Sequence, residues 1–174
     1  MSKTLTLTEL NRLPAADARL AFAQCCVAAR WMDAMVASRP FATVEQLHQV
    51  AADHWQGLEE ADYLQAFEGH PKIGDVSSLK QKYASTKTLA AGEQSRVDEA
   101  DDSVINALAS GNQAYEDRYG FIFIVCASGK SAAEMLALLQ ARLHNDRGTE
   151  IQNAADEQAK ITRLRINKLL GLTD

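Results

Sequence analysis

The sequence predicts an all-α fold, and three observations carry that prediction. Alanine and leucine dominate while aromatic residues make up only 6% of the chain, a composition that leans towards helix. Three prolines and nine glycines are the only strong breakers in 174 residues. Apolar residues recur at helical spacing in most segments between those breakers. At this length the chain fits one domain, residues 1–174, with a substantial core.

The elements follow in order. Thr8 is expected to cap a short helix through Leu13, stopped by Pro14. From Ala15 to about Ser38 the spacing of Leu20, Val27, Trp31 and Met35 predicts one helix, ended by Pro40. Thr43 and Gln46 match a capping box for a helix through about Trp55. A further helix covers Glu59 to Glu68, and Ser77 to Ser85 reads as another short one. The stretch KTLAAGEQSRVDEADDSVINALASGNQAYEDRYG is mostly helical, with a break expected near Gly111 and a stop at Gly120. FIFIVCASG then interrupts the pattern with a continuous apolar run, a buried strand or an extended segment. Ser131 and Glu134 open a helix to about His144, and Thr149 begins a last helix ending at Leu170, with Gly171 as its stop. No repeat, linker or low-complexity segment divides the chain.

Charge and cysteine usage exclude several function classes. A net charge of −5 without a Lys/Arg-rich block argues against nucleic acid as partner. No apolar run approaches the roughly 18 residues of a membrane span, and the N-terminal MSKTLTLTEL lacks a signal core, so a soluble cytoplasmic protein is expected. Cys25, Cys26 and Cys126 make neither a disulfide framework nor a zinc set and read as buried free thiols. The acid run Asp98, Glu99, Asp101 and Asp102 lacks the spacing of a calcium loop. His48 and His54, six apart, miss the spacing of a helical metal pair.

The least ordinary stretch is FEGHPKIGD, Phe67 to Asp75. Pro71 pushes the backbone of His70 out of the helical region, and the flanking glycines permit tight turns. Such a loop projects an imidazole from a helix end, which suits a general acid or base near neutral pH; a hydrogen-bonded loop histidine is the plainer alternative. Glu93 follows Gly92 at a helix start, where it is either a first-turn acid or a carboxylate that orients a histidine or grips substrate. Gln94 beside it can donate and accept. The run Phe123, Ile124, Val125, Cys126, Ala127 can bring backbone groups to a ligand or serve as a buried connection. The last helix carries Lys160, Arg163, Arg165 and Lys168; an inward-facing Arg165 would clamp a carboxylate or carbonyl, although cations also suit a helix C-terminus.

Taken together, FEGHPKIGD, GEQ 23 residues after the histidine, NQAYEDRYGFIFIVCASGKSAAEMLALLQARLHNDRGTE and KITRLRINKLL resemble, in order, the 2-oxo-4-hydroxy-4-carboxy-5-ureidoimidazoline (OHCU) decarboxylase family. The likeness runs from about Leu7 to Leu170. It implies an all-α homodimer that releases CO2 from OHCU to form (S)-allantoin, the last step of the uricase route, with no metal or organic cofactor. It also implies that His70 is the catalytic histidine with Pro71 beside it, and that Glu93 and Gln94 are the family's Glu-Gln pair. Phe123 to Ala127 would contact substrate through backbone, and Arg165 would be the arginine of the last helix. Ala90 departs from the serine common in relatives, so a hydroxyl contact there is absent. A non-catalytic helical binding module and a hydrolase acting on 5-hydroxyisourate are the alternative readings.

Overall fold

A computed structural model describes residues 4–70 and 94–172, with the side chains of 94–101 left out of the description. Regular structure among the described residues is entirely α-helical: α1 (Leu7–Arg12), α2 (Ala15–Ala23), α3 (Ala29–Ala37), α4 (Val44–Gln56), α5 (Glu60–Glu68), α6 (Gln94–Tyr119), α7 (Ala132–Arg142) and α8 (Arg147–Leu169). They gather into two compact units. The first holds α1–α5, Ile124–Cys126 and α8 from Asn153 onward; the second holds α6, Phe123, α7 and α8 up to Gln152. No described helix is long and apolar enough to cross a membrane.

In the first unit, indole N–H groups join the helices while their rings fill the core. Trp31 donates to the Ala51 carbonyl at 3.0 Å, and Trp55 donates to the Ala155 carbonyl at 2.9 Å. Both rings are buried with Leu10, Phe22, Met35, Leu47, Phe67 and Ile166. An indole suits such a position because its large apolar body is buried while its single donor still finds an acceptor.

Several boundaries differ from the sequence expectation, each for a physical reason. Thr6, not Thr8, caps α1: its hydroxyl accepts from the Glu9 amide and Glu9 accepts from the Thr6 amide, both at 3.1 Å. The residue three past Thr8 is Asn11, whose amide is instead spent on the N–H and C=O of Phe41. The helix expected from Ala15 to Ser38 is two helices. Ala28 is extended, and the Ala29 amide is capped at 2.9 Å by the side chain of Gln65 on α5, a partner 36 residues away. Leu20, counted in the apolar spacing, is exposed.

Thr43 caps α4 as expected, but the Gln46 side chain reaches the Ala42 amide. The helix expected at Ser77 to Ser85 lies outside the described residues. Asp146 rather than Thr149 opens α8, accepting the Thr149 amide at 2.7 Å. Gly171, at φ +70°, ends α8 with the paired bonds of a Schellman stop, from Gly171 to Lys168 and from Leu172 to Asn167.

In the second unit α6 runs unbroken through Gly111, where a break was expected. A Cβ on that residue would stand 2.6 Å from Leu139 Cδ2, so the glycine marks a close approach of α6 and α7. Beside it sits a buried polar cluster. Glu150, fully enclosed, accepts from the Tyr115 hydroxyl (2.5 Å), Arg142 Nε (2.7 Å) and Asn145 Nδ2 (2.7 Å). Every carboxylate charge is thus met by a donor, the condition for burying one. Arg142 also lies over the Phe123 ring at 4.7 Å, and Tyr115 packs edge-on to Phe123 at 5.2 Å.

Candidate active site

His70 follows α5 directly, its amide still bonded to the Phe67 carbonyl. Gly69 before it has ordinary right-handed dihedrals, φ −73° and ψ −10°, so turn freedom is not why glycine stands there. A Cβ at Gly69 would lie 2.3 Å from Val27 Cγ2. The glycine lets the end of α5 close onto the link between α2 and α3, and that contact fixes where His70 begins.

The imidazole is half-buried and meets two side chains of α8. Its Nε2 is hydrogen-bonded to Gln158 Oε1, and its Nδ1 lies 3.4 Å from Arg165 Nη2. Gln158 is fully buried and donates from Nε2 to the Thr162 hydroxyl at 3.0 Å. Positions 158, 162 and 165 share one helical face, at i, i+4 and i+7. Arg165, whose direction the sequence left open, faces inward: its Nη1 reaches the Cys25 carbonyl at 3.5 Å. Burial first, and Arg165 beside it, hold the His70 pKa below the ordinary 6.5, while the bond to Gln158 opposes them. The ring is therefore neutral at neutral pH, able to accept a proton, and its conjugate acid is ready to give that proton up.

The structure brings together His70 and Arg165 of the sequence candidates. In the same unit Ile124 and Cys126 are buried, Val125 is half-buried, and the Cys126 amide donates to Glu157 Oε1 at 2.9 Å. Phe123 and Ala127 belong to the second unit, Phe123 buried in the aromatic cluster around Tyr115. The 121–131 segment is neither helix nor strand, the extended alternative of the two foreseen for it. Gln94 is the first residue of α6. Pro71, Ala90 and Glu93 lie outside the described residues.

Gln158 and Thr162 are the residues that sequence reasoning missed. The signal was present: Ile151, Ala154, Ala155, Ile166 and Leu169 form the buried stripe of α8, and both polar residues sit within it. A glutamine on an apolar stripe asks for a partner. The other polar candidates have plain roles. His48 bonds Asn167 Oδ1 and His54 bonds the Ser38 hydroxyl, each at 2.8 Å. The thiols of Cys25 and Cys26 are buried, which pushes them up to about 12 and about 11. A cavity of about 250 Å³ between α4 and α8, lined by His48, Trp55, Arg163 and Ile166 among others, includes neither His70 nor Arg165.

Comparison with known proteins agrees with the motif order. Residues 11–167 match the OHCU decarboxylase family. The chain belongs to the OHCU decarboxylase family. Among OHCU decarboxylases and their relatives, it is 26% identical over 163 residues to the 2-oxo-4-hydroxy-4-carboxy-5-ureidoimidazoline decarboxylase of Haloferax volcanii, covering 93% of this chain and 94% of that one. It is 35% identical over 148 residues to a uric acid degradation bifunctional protein of Arabidopsis thaliana, covering 84% of this chain but 45% of the plant protein. It thus spans less than half of that longer relative. A crystal structure of OHCU decarboxylase in the presence of (S)-allantoin superposes with a TM-score of 0.68 at 35% identity, over 84% of this chain and 94% of that one.

Proposed function

We propose that this chain decarboxylates OHCU to (S)-allantoin and CO2 without a metal or organic cofactor, with His70 as its acid–base group. The observation that supports this reading most directly is a half-buried imidazole kept unprotonated beside a guanidinium, in a chain of the OHCU decarboxylase family.

The substrate explains why so little machinery suffices. Its C4 carries a carboxylate and a hydroxyl, and C5 beside it is an imine carbon. As the bond from C4 to the carboxylate breaks, its electron pair forms a C4=C5 double bond, and the imine pair settles on nitrogen, which takes one proton. The imine is thus the electron sink that a cofactor would otherwise supply. The resulting enol loses its hydroxyl proton, and C5 gains a proton on one face, giving (S)-allantoin. One proton is consumed overall for each CO2 released from the carboxylate form.

His70 accepts and returns protons in that sequence, and the depressed basicity of its ring favours the return. Arg165, with its planar fork of donors, holds a carbonyl or the departing carboxylate. Glu93 orients the substrate, Gln94 and the Phe123–Ala127 backbone grip its amide and ureido groups, and Pro71 walls the pocket. The protein works as a cytoplasmic homodimer on a small molecule, with neither nucleic acid nor membrane as partner.

The test is an assay with freshly generated OHCU, following substrate absorbance and product circular dichroism. Accelerated loss of substrate with a growing (S)-allantoin signal is expected. No acceleration over buffer, or turnover of 5-hydroxyisourate instead, would overturn the reading.

A further inference from the structure

The neighbours of His70 determine which ring nitrogen carries its hydrogen. Arg165 has donors and no acceptor, so the Nδ1 that faces Nη2 must present a lone pair. At the opposite side, Gln158 Oε1 only accepts, so Nε2 must carry the hydrogen. The other end of the Gln158 amide is bonded as well. Its Nε2 donates to the Thr162 hydroxyl at 3.0 Å. The Arg165 guanidinium, which can only donate, and the Gln158 oxygen turned to Nε2 point to the same tautomer.

We infer that Gln158 is a positioning residue that holds His70 as the Nε2–H tautomer and leaves Nδ1 as the nitrogen that exchanges protons with substrate. This rests on the acid–base role proposed for His70. Gln158 is fully buried, so Nε2 is turned towards the protein interior and spent on it. When Nδ1 takes a proton it can no longer accept from Arg165, 3.4 Å away, while the Nε2–H bond to Gln158 persists and becomes charge-assisted. The ring then returns that proton from the same nitrogen without turning. Transfer from a single nitrogen in a fixed ring is what delivery to one face of C5 requires. A glutamine suits the task better than a carboxylate would, because its neutral oxygen fixes the tautomer without making the imidazole strongly basic. Among the described residues the charged group facing the ring is Arg165, and the nearby thiols of Cys25 and Cys26 stay protonated.

The experiment has two arms. In protein labelled with ¹⁵N-histidine, long-range ¹H–¹⁵N spectra of His70 above pH 7 should show a protonated Nε2 and an unprotonated Nδ1. This arm needs neither turnover nor a variant, so it survives failure of the proposed activity; a protonated Nδ1 would overturn the inference. The second arm is the pH profile of kcat/KM for wild type, Gln158→Glu and Gln158→Met. A carboxylate against Nε2 should move the acid limb up by about one unit or more, and the loss of the acceptor should move it down. A merely structural role would lower activity without moving the limb. An acid limb at one pH in all three proteins would refute the assignment.

Discussion

Gly69→Ala tests the packing that sets the position of His70. The dihedrals at Gly69, φ −73° and ψ −10°, are ordinary for alanine. On backbone grounds alone the substitution should stabilise the fold by about 0.4–1 kcal/mol, because alanine restricts the unfolded chain. Against that stands the new Cβ, which would lie 2.3 Å from Val27 Cγ2 and 3.2 Å from Val27 Cγ1. Val27 is β-branched and stiff at χ1, so it cannot easily swing away. Overpacking of this kind costs about 1–3 kcal/mol, and the clash wins. The expected net loss is about 1–2 kcal/mol, or a fall in Tm of about 2–8 °C for a chain of this size. Turnover should fall as well, because His70 is the next residue. Val27→Ala removes both clashing methyls, so in that background Gly69→Ala should become neutral or stabilising, a coupling of about 1–3 kcal/mol. Thermal and urea unfolding of the four proteins in the cycle would measure it. If Gly69→Ala stabilised the protein with Val27 intact, or if Val27→Ala failed to rescue it, the close-approach account of this glycine would be wrong.

The remaining predictions concern charge and fold. Glu150→Ala removes the carboxylate paired with Arg142 and the acceptor of Tyr115 and Asn145; losing one partner of a buried pair should cost about 3–5 kcal/mol, read from urea unfolding. Stability should also weaken on mild acidification. His70 and His48 are both held below 6.5 by burial, so the unfolded chain protonates first; their contribution is complete above about pH 6.5 and declines as pH falls below it. Unfolding free energy measured from pH 7.5 to 5 should fall, and His70→Asn should flatten part of that slope.

The parts of the fold legible in the sequence were those with local causes. Thr43 and Ser131 announce α4 and α7 because a cap bonds an amide three residues ahead, and Gly171 announces the end of α8 because its conformation suits glycine. Most of what escaped reading depends on distant partners; the caps at Thr6 and Asp146 are the local exceptions. The division between α2 and α3 rests on Gln65, far along the chain, and Gly111 marks the close approach of Leu139 rather than a break in α6. The site shows the same division. His70 was conspicuous because a histidine before a proline at a helix end is locally odd. Its coupling to Gln158 and Arg165 is fixed by the packing of the first unit, which brings α5 and α8 together across 88 and 95 residues. The stripe of α8 held the clue, since Gln158 and Thr162 interrupt it, but periodicity does not name the partner.

The central claim, that His70 performs the proton transfers at C5, is tested most directly by His70→Asn in a single cuvette. Asparagine keeps hydrogen-bonding capacity and similar size but cannot act as an acid or base near neutral pH. Substrate absorbance and product circular dichroism are followed together, with far-ultraviolet spectra confirming the fold. Wild type should consume OHCU rapidly and build an (S)-allantoin signal. The variant should do neither faster than buffer, leaving product without optical activity. Formation of (S)-allantoin by His70→Asn at close to the wild-type rate would contradict the account.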